Sequence, residues 1–208
     1  MQSTANVSCP ECGACSTVTV HNSVRANKSF LKKRLLDREL FNYSCRKCGS
    51  ISVLDYSMLY IDNERRFAVW YLSEGCTADL DDALDEFSIM TGNMRKRIVY
   101  DLNHLIETIL VFDSGLHDLL IFEYKILLEE EAGVSAENMF FDQAKPLSAN
   151  QMQINFAIPG KNCMAGISAR NTRNALQQWN EIEEELDWVN VNMENFIKIY
   201  KKFSTRFA

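Results

Sequence analysis

An α+β fold is predicted from three features of the 208-residue chain. Two short cysteine pairs, Cys9-Pro10-Glu11-Cys12-Gly13 and Cys45-Arg46-Lys47-Cys48-Gly49, are held apart by thirty-two residues. Short β-branched or aromatic runs lie among and just after them, and apolar residues at helical spacing dominate the remainder. Two thiolates two residues apart can turn back on one metal ion, and the Gly after each second cysteine permits the tight knuckle that aims backbone N–H groups at sulfur. The expected architecture is a zinc ribbon with an inserted helix, joined to a β-hairpin or sheet packed against several helices. Residues 1–73 form the zinc-binding lobe with its hairpin; residues 74–208 form a helix-rich α+β lobe ending in a helix pair.

Taken in order, Thr17-Val18-Thr19-Val20-His21 alternates and is β-branched, which predicts a half-buried strand. Asn22 to Asn27 turn the chain. From Lys28 to Leu40, Phe30, Leu31, Leu35 and Leu36 recur at helical spacing while Lys32, Lys33, Arg34 and Arg38 point elsewhere, so a helix fills the long spacer. Phe41-Asn42-Tyr43 enters the second knuckle and Ile51-Ser52-Val53-Leu54 leaves it. Met58 to Ile61 and Phe67 to Leu72 flank the polar Asp62-Asn63-Glu64-Arg65-Arg66 as a hairpin.

Thr77 caps an expected helix through Met90, with Leu80, Leu84 and Phe87 inward and Gly92 as its stop. Asp101 to Phe112 carries Leu102, Leu105, Ile106, Ile109 and Leu110 at i, i+3, i+4, i+7 and i+8, the strongest helical pattern in the sequence. His117 to Glu131 is apolar on most sides, as a buried helix would be. Asn138 to Phe141 and Gln151 to Ile158 are expected to pair across a turn at Lys145-Pro146-Leu147-Ser148. Two closing stripes, Leu176, Trp179, Ile182 and Leu186, then Met193, Phe196, Ile197, Tyr200 and Phe203, predict terminal helices that cover a sheet or meet another chain.

Composition narrows the function. Hydrophobic residues make up 47% and there are three prolines, enough for a real core. No stretch signals export or membrane insertion, and seven cysteines without a leader suit a reducing cytoplasm and metal chemistry rather than a disulfide framework. The net charge of −6 is uneven: ten Lys/Arg against six Asp/Glu in residues 1–73, twelve against twenty-two in residues 74–208. Four thiolates around one Zn²⁺ take two units from the positive lobe, which weakens a simple electrostatic case for nucleic acid.

The run Val7-Ser8-Cys9-Pro10-Glu11-Cys12-Gly13, the helical spacer ending Leu40-Phe41-Asn42-Tyr43, then Cys45-x-x-Cys48-Gly49 and Leu59-Tyr60-Ile61-Asp62, resembles the CpXC domain family. Arg46 stands where the family pattern has Pro, which costs the second knuckle a pre-set φ but no ligand. The stretch Arg97 to Tyr100 through Asn103, Leu105, Ile106, Phe112 to Leu116, Asp118 and Lys125 resembles the middle of longer members. The resemblance implies metal binding and a bacterial or archaeal source.

Cys9, Cys12, Cys45 and Cys48 are therefore the expected ligands of one structural zinc per chain, a closed four-sulfur shell with no position open to substrate. Cys15 continues the spacing as a redox partner, an alternative ligand or, the preferred reading because four ligands already complete the shell, a small residue beyond the knuckle; Cys76 and Cys163 read as packing residues. Three functional classes fit. The first is a zinc-stabilised cytoplasmic binding module that holds a protein partner or a second copy of itself, with no membrane role. The second binds nucleic acid through Lys28, Lys32, Lys33, Arg34, Arg38, Arg46 and Lys47 with Tyr43 or Phe41 for stacking. The third is an enzyme with a site between the lobes near His104 and His117, where Glu107, Asp118 and Glu123 supply carboxylates. A non-enzymatic role is preferred, because two helices of this length carry such groups without catalysis.

Overall fold

The computed structural model describes residues 2–74, 87–89, 91–160 and 164–203. The chain is a mixed α+β protein that divides into two compact units, Met1–Leu102 and Asn103–Ala208. The helix expected from Thr77 to Met90 lies, apart from 87–89, outside the described residues, as do Cys76 and Cys163.

In the first unit, β1 (Ser3–Ser8) and β2 (Cys15–Val20) form an antiparallel two-stranded sheet. β3 (Ser23–Arg25) occupies the stretch expected to be only a turn. The spacer helix α1 is shorter than predicted, Ser29–Leu36, and is followed by a 3-10 turn at Glu39–Phe41. It buries Leu35 completely but leaves Phe30 70% exposed, so the apolar stripe is narrower than the spacing suggested. β4 (Asn42–Ser44) and β5 (Ile51–Val53) make a second two-stranded sheet around the second cysteine pair.

The hairpin forms as expected. β6 (Met58–Asp62) and β7 (Phe67–Tyr71) pair antiparallel, and every residue of both strands is buried. Strands covered on both faces read as continuous apolar runs rather than alternating ones, and both of these do. At the turn, Asp62 Oδ1 accepts from the backbone N–H groups of Glu64 and Arg65 at 3.0 and 2.9 Å. That local acceptor holds the loop and sets the register. β3 joins the outer side of β6 in parallel and β8 (Arg95–Val99) joins β7 in parallel, giving the order β3-β6-β7-β8.

In the second unit, α2 (Leu102–Asp113) and α3 (Asp118–Ala132) follow in sequence, and α3 ends at Gly133 in the left-handed region, φ 61°. An antiparallel sheet of order β11-β10-β9 comes next, built from β9 (Phe140–Ser148), β10 (Gln151–Ala157) and β11 (Met164–Arg170). The expected turn at Lys145 to Ser148 is instead strand, and the chain reverses at Ala149 and Asn150. Pro146 is tolerated because β9 is an edge strand and the ladder slips between Gln151 and Met152, leaving Leu147 without an opposite residue. α4 (Thr172–Glu183) and α5 (Met193–Lys202) close the unit.

These last helices pack within their own unit. Trp179 and Ile182 are fully buried, and Phe196, Ile199 and Phe203 nearly so. The indole of Trp179 lies 5.7 Å from the Phe196 ring, which lies 5.4 Å from Phe122 of α3, an aromatic chain through the core. The apolar surface this tail leaves outside includes Ile197 and Tyr200. Trp179→Ala is expected to cost about 3–5 kcal/mol through the cavity it leaves. Urea unfolding followed by hydrogen exchange in α3 checks this, and a loss below about 1 kcal/mol would place the core of the unit elsewhere.

Candidate metal centre

Each knuckle is built by the same two backbone bonds. Cys9 N–H donates to Ala14 O and Gly13 N–H to Cys9 O, both at 2.9 Å; Cys45 N–H donates to Ser50 O and Gly49 N–H to Cys45 O, both at 2.8 Å. The turns close at Gly13 and Gly49, with φ of 66° and 74°, a conformation that costs a side chain roughly 1–2 kcal/mol. Arg46, in the place of a proline, leaves the second knuckle with the same geometry as the first.

The two knuckles meet. Cys9 Sγ lies 3.6 Å from Cys48 Sγ and Cys12 Sγ lies 3.7 Å from Cys45 Sγ, and all four sulfurs are within 4.8 Å of one another. A disulfide would need about 2.05 Å, and these thiols are free. Sulfurs held tetrahedrally at about 2.3 Å from a central ion are about 3.8 Å apart, so the spacing fits a four-sulfur shell without rearrangement. The four form a group that can hold a metal ion. Cys15 stays outside it, exposed, with its Sγ 3.4 Å from Ser8 Oγ.

The surroundings favour thiolate at the first cysteine of each pair. The N–H groups of Cys48 and Lys47 point at Cys45 and bring its thiol down to about 6 against the cost of burial. The Ser50 hydroxyl, 3.2 Å from Cys9 and 3.1 Å from Cys48, is the main reason that the Cys9 thiol is lowered. Cys12 has the N–H of Ala14 as a lowering partner, yet burial and the sulfurs of Cys48, Cys45 and Cys9 push it up to about 12. A metal ion bound by such a set displaces the thiol protons that remain. Ser50, two residues beyond the second pair, is a contributor that the cysteine spacing alone does not reveal.

A protein-family model described as CpXC protein matches residues 7–124, more than half of the sequence. The chain belongs to the CpXC family. The match begins two residues before the first cysteine of the site, includes both knuckles and runs into α3. No curated protein and no solved structure matches this CpXC chain.

The acid–base candidates separate. All lie in the second unit, but in different contacts. His104 sits 5.2 Å from the Phe140 ring with Nε2 3.3 Å from Glu137 O. Glu107 Oε1 accepts from Lys125 Nζ and from Phe141 N–H, both at 2.6 Å, in a buried ion pair tying α2, α3 and β9 together. His117 is fully buried, with Nδ1 3.3 Å from Asp118 Oδ1 and Nε2 3.0 Å from Glu183 Oε2. The Leu119 N–H donates to His117 Nδ1 at 3.3 Å and to Asp118 Oδ1 at 3.0 Å, so both side chains cap the start of α3, and the donor atoms of His117, Asp118 and Glu183 lie within 4.8 Å of one another as a second group of metal-ligating types. Glu183 could not be anticipated, being far from His117 in sequence. The basic helix is partly matched within the unit: Lys33 pairs with Asp37, and Arg34 with Glu39 at 3.3 Å. Among the described residues no helix is long and apolar enough to cross a membrane.

Glu123 Oε2 accepts the Trp179 indole N–H at 3.1 Å, and burial raises its carboxyl above the usual 4.5 while that hydrogen bond opposes the shift. A raised carboxyl binds its proton more tightly folded than unfolded, so it costs nothing below the unfolded pKa and lowers stability as pH rises through and above the folded one. Glu123→Gln keeps an acceptor for Trp179 and removes that cost. The variant is expected to unfold at higher urea than the parent at pH 7 and to match it near pH 4, and a stability difference independent of pH would sink this assignment.

Proposed function

We propose that this CpXC protein is a cytoplasmic binding module whose first unit is a zinc ribbon with an inserted helix, locked by one structural zinc on Cys9, Cys12, Cys45 and Cys48. The observation that carries the reading is the sulfur spacing of 3.6 and 3.7 Å, close to the edge of a Zn–S tetrahedron. Four soft thiolates select zinc over the hard cations that prefer oxygen, and a complete shell leaves no site for a substrate or water. The metal's role is then to fold the unit. Free thiols suit a reducing compartment. Support for binding rather than catalysis comes from the acid–base groups, which are engaged in separate buried contacts. The partner is another protein or a second copy of the chain.

Metal analysis tests this. One zinc per chain is expected, lost in Cys12→Ser and kept in Cys15→Ser. Apparent zinc binding in small modules is worth about 10–16 kcal/mol, as much as the whole stability of a domain, so chelation should unfold the first unit while α2 to α5 remain folded. Iron in place of zinc, or full metal content in the Cys12 variant, would overturn the proposal.

A further inference from the structure

A cavity of about 650 Å³ in the first unit is lined by Cys15 to Thr19 of β2 and Asn42 to Ser44 of β4, with Leu40, Arg46 and Leu54. Successive residues of a strand point to opposite faces. A cavity that touches five in a row on one strand and three in a row on another therefore reaches the edge of each strand, while Val18, Tyr43 and Leu54 bring side chains to it from the small buried cluster. β2 is hydrogen-bonded to β1 and β4 to β5, in separate two-stranded sheets, so each turns its second edge away from its partner. Among the described residues no backbone bond joins β2 to β4; the Tyr43 hydroxyl instead donates to Ser16 Oγ at 3.1 Å.

Edges left open in this way are ordinarily blunted by charge, proline or a bulge, because their N–H and C=O groups template another strand. Cys-Ser-Thr-Val-Thr-Val in β2 and Asn-Tyr-Ser in β4 contain no charged residue and no proline, and the β1–β2 and β4–β5 ladders run without a register shift. We propose, in a step that rests on the binding-module reading above, that the gap between β2 and β4 takes an extended segment of a partner protein as an added strand. Affinity comes from main-chain bonds to both edges. The five lining residues of β2 match a segment of about five residues at roughly 3.3 Å each. The Thr17 hydroxyl is taken by Asn6 and the Ser16 hydroxyl by Tyr43, so the hydroxyls of Thr19 and Ser44 and the amide of Asn42 favour polar side chains on that segment. Arg46 is the one charged residue in the lining, so the segment carries an acidic residue at that end.

The probe is a displayed library of random twelve-residue peptides, selected on the full-length, zinc-loaded protein. Peptides with an acidic residue are expected to be enriched and, at saturation, to slow amide exchange of residues 15–19 and 42–44 at least tenfold. Thr17→Lys, which places a charge on the β2 edge, should weaken the selected peptide at least tenfold; Arg46→Glu should do the same and shift renewed selection toward basic sequences. Zinc content read on the same samples keeps the two ideas apart: a metal-loaded protein that fails these tests sinks the groove alone. Overturning outcomes are selection of no peptide, binding indifferent to both variants, protection elsewhere, retention of oligouridine at the groove instead, or protection that appears with protein concentration and no peptide, which would make the occupant a second copy.

Discussion

The convergence of four sulfurs from two knuckles is the constraint on which the two cysteine hairpins depend. Each knuckle carries only a two-stranded sheet, and an isolated pair of strands is marginal in water. What joins them is a small cluster in which Cys9, Tyr43 and Cys45 are buried and Val7, Cys12, Ala14, Val18 and Leu54 pack around. The cluster is too small to order two hairpins by burial alone. Four thiols at such short range resist ionisation together, as the raised Cys12 shows, so the arrangement is one that a cation would complete. The backbone has prepared for that charge, with N–H groups of Cys48 and Lys47 already turned toward Cys45.

The second unit solves the opposite problem. It has apolar surface to spare and must place charges inside it. Lys125 and Glu107 are both buried and satisfy each other, and the Phe141 N–H takes up further acceptor capacity of the same carboxylate. His117 lies between two carboxylates while its ring stacks against Trp179 at 6.0 Å. Removing one member of such a pair strands the other in a low dielectric, so its loss costs more than the intact pair contributes. A histidine and a carboxylate on adjacent helices look like general acid–base machinery in sequence; in the structure His117 and Glu107 are buried in separate contacts.

What was legible in the sequence follows from signal strength. Cysteine spacing located all four clustered sulfurs, and the paired apolar runs located β6 and β7, because both patterns are local. The long amphipathic runs gave α2, α3, α4 and α5 to within a few residues. β1, β8 and β11 were missed: Ser3 to Ser8 is mostly small and polar, Arg95-Lys96-Arg97 looks like solvent-facing loop until β7 offers a partner in register, and Met164 to Arg170 is largely small residues that gain their strand from pairing with β10. β3 is three residues long and exists through its parallel pairing with β6. Pro146 misled for a sound reason, since proline does break central strands; only the edge position and the slipped register make it acceptable.

β8 ends its sheet with Arg95, Lys96 and Arg97, and β9 ends another with Asp142, Lys145 and Pro146, devices that keep a foreign strand from pairing. β3 is too short to template much and carries Arg25. Among the described residues the uncharged edges are those of the two cysteine hairpins and most of β11, whose one charge is Arg170 at its end. Those of β1 and β5 share the bareness, but the two that line one cavity together are β2 and β4. Facing, uncharged edges on one cavity are informative, because hairpins whose four cysteine sulfurs converge at one end need not pair with each other along their strands.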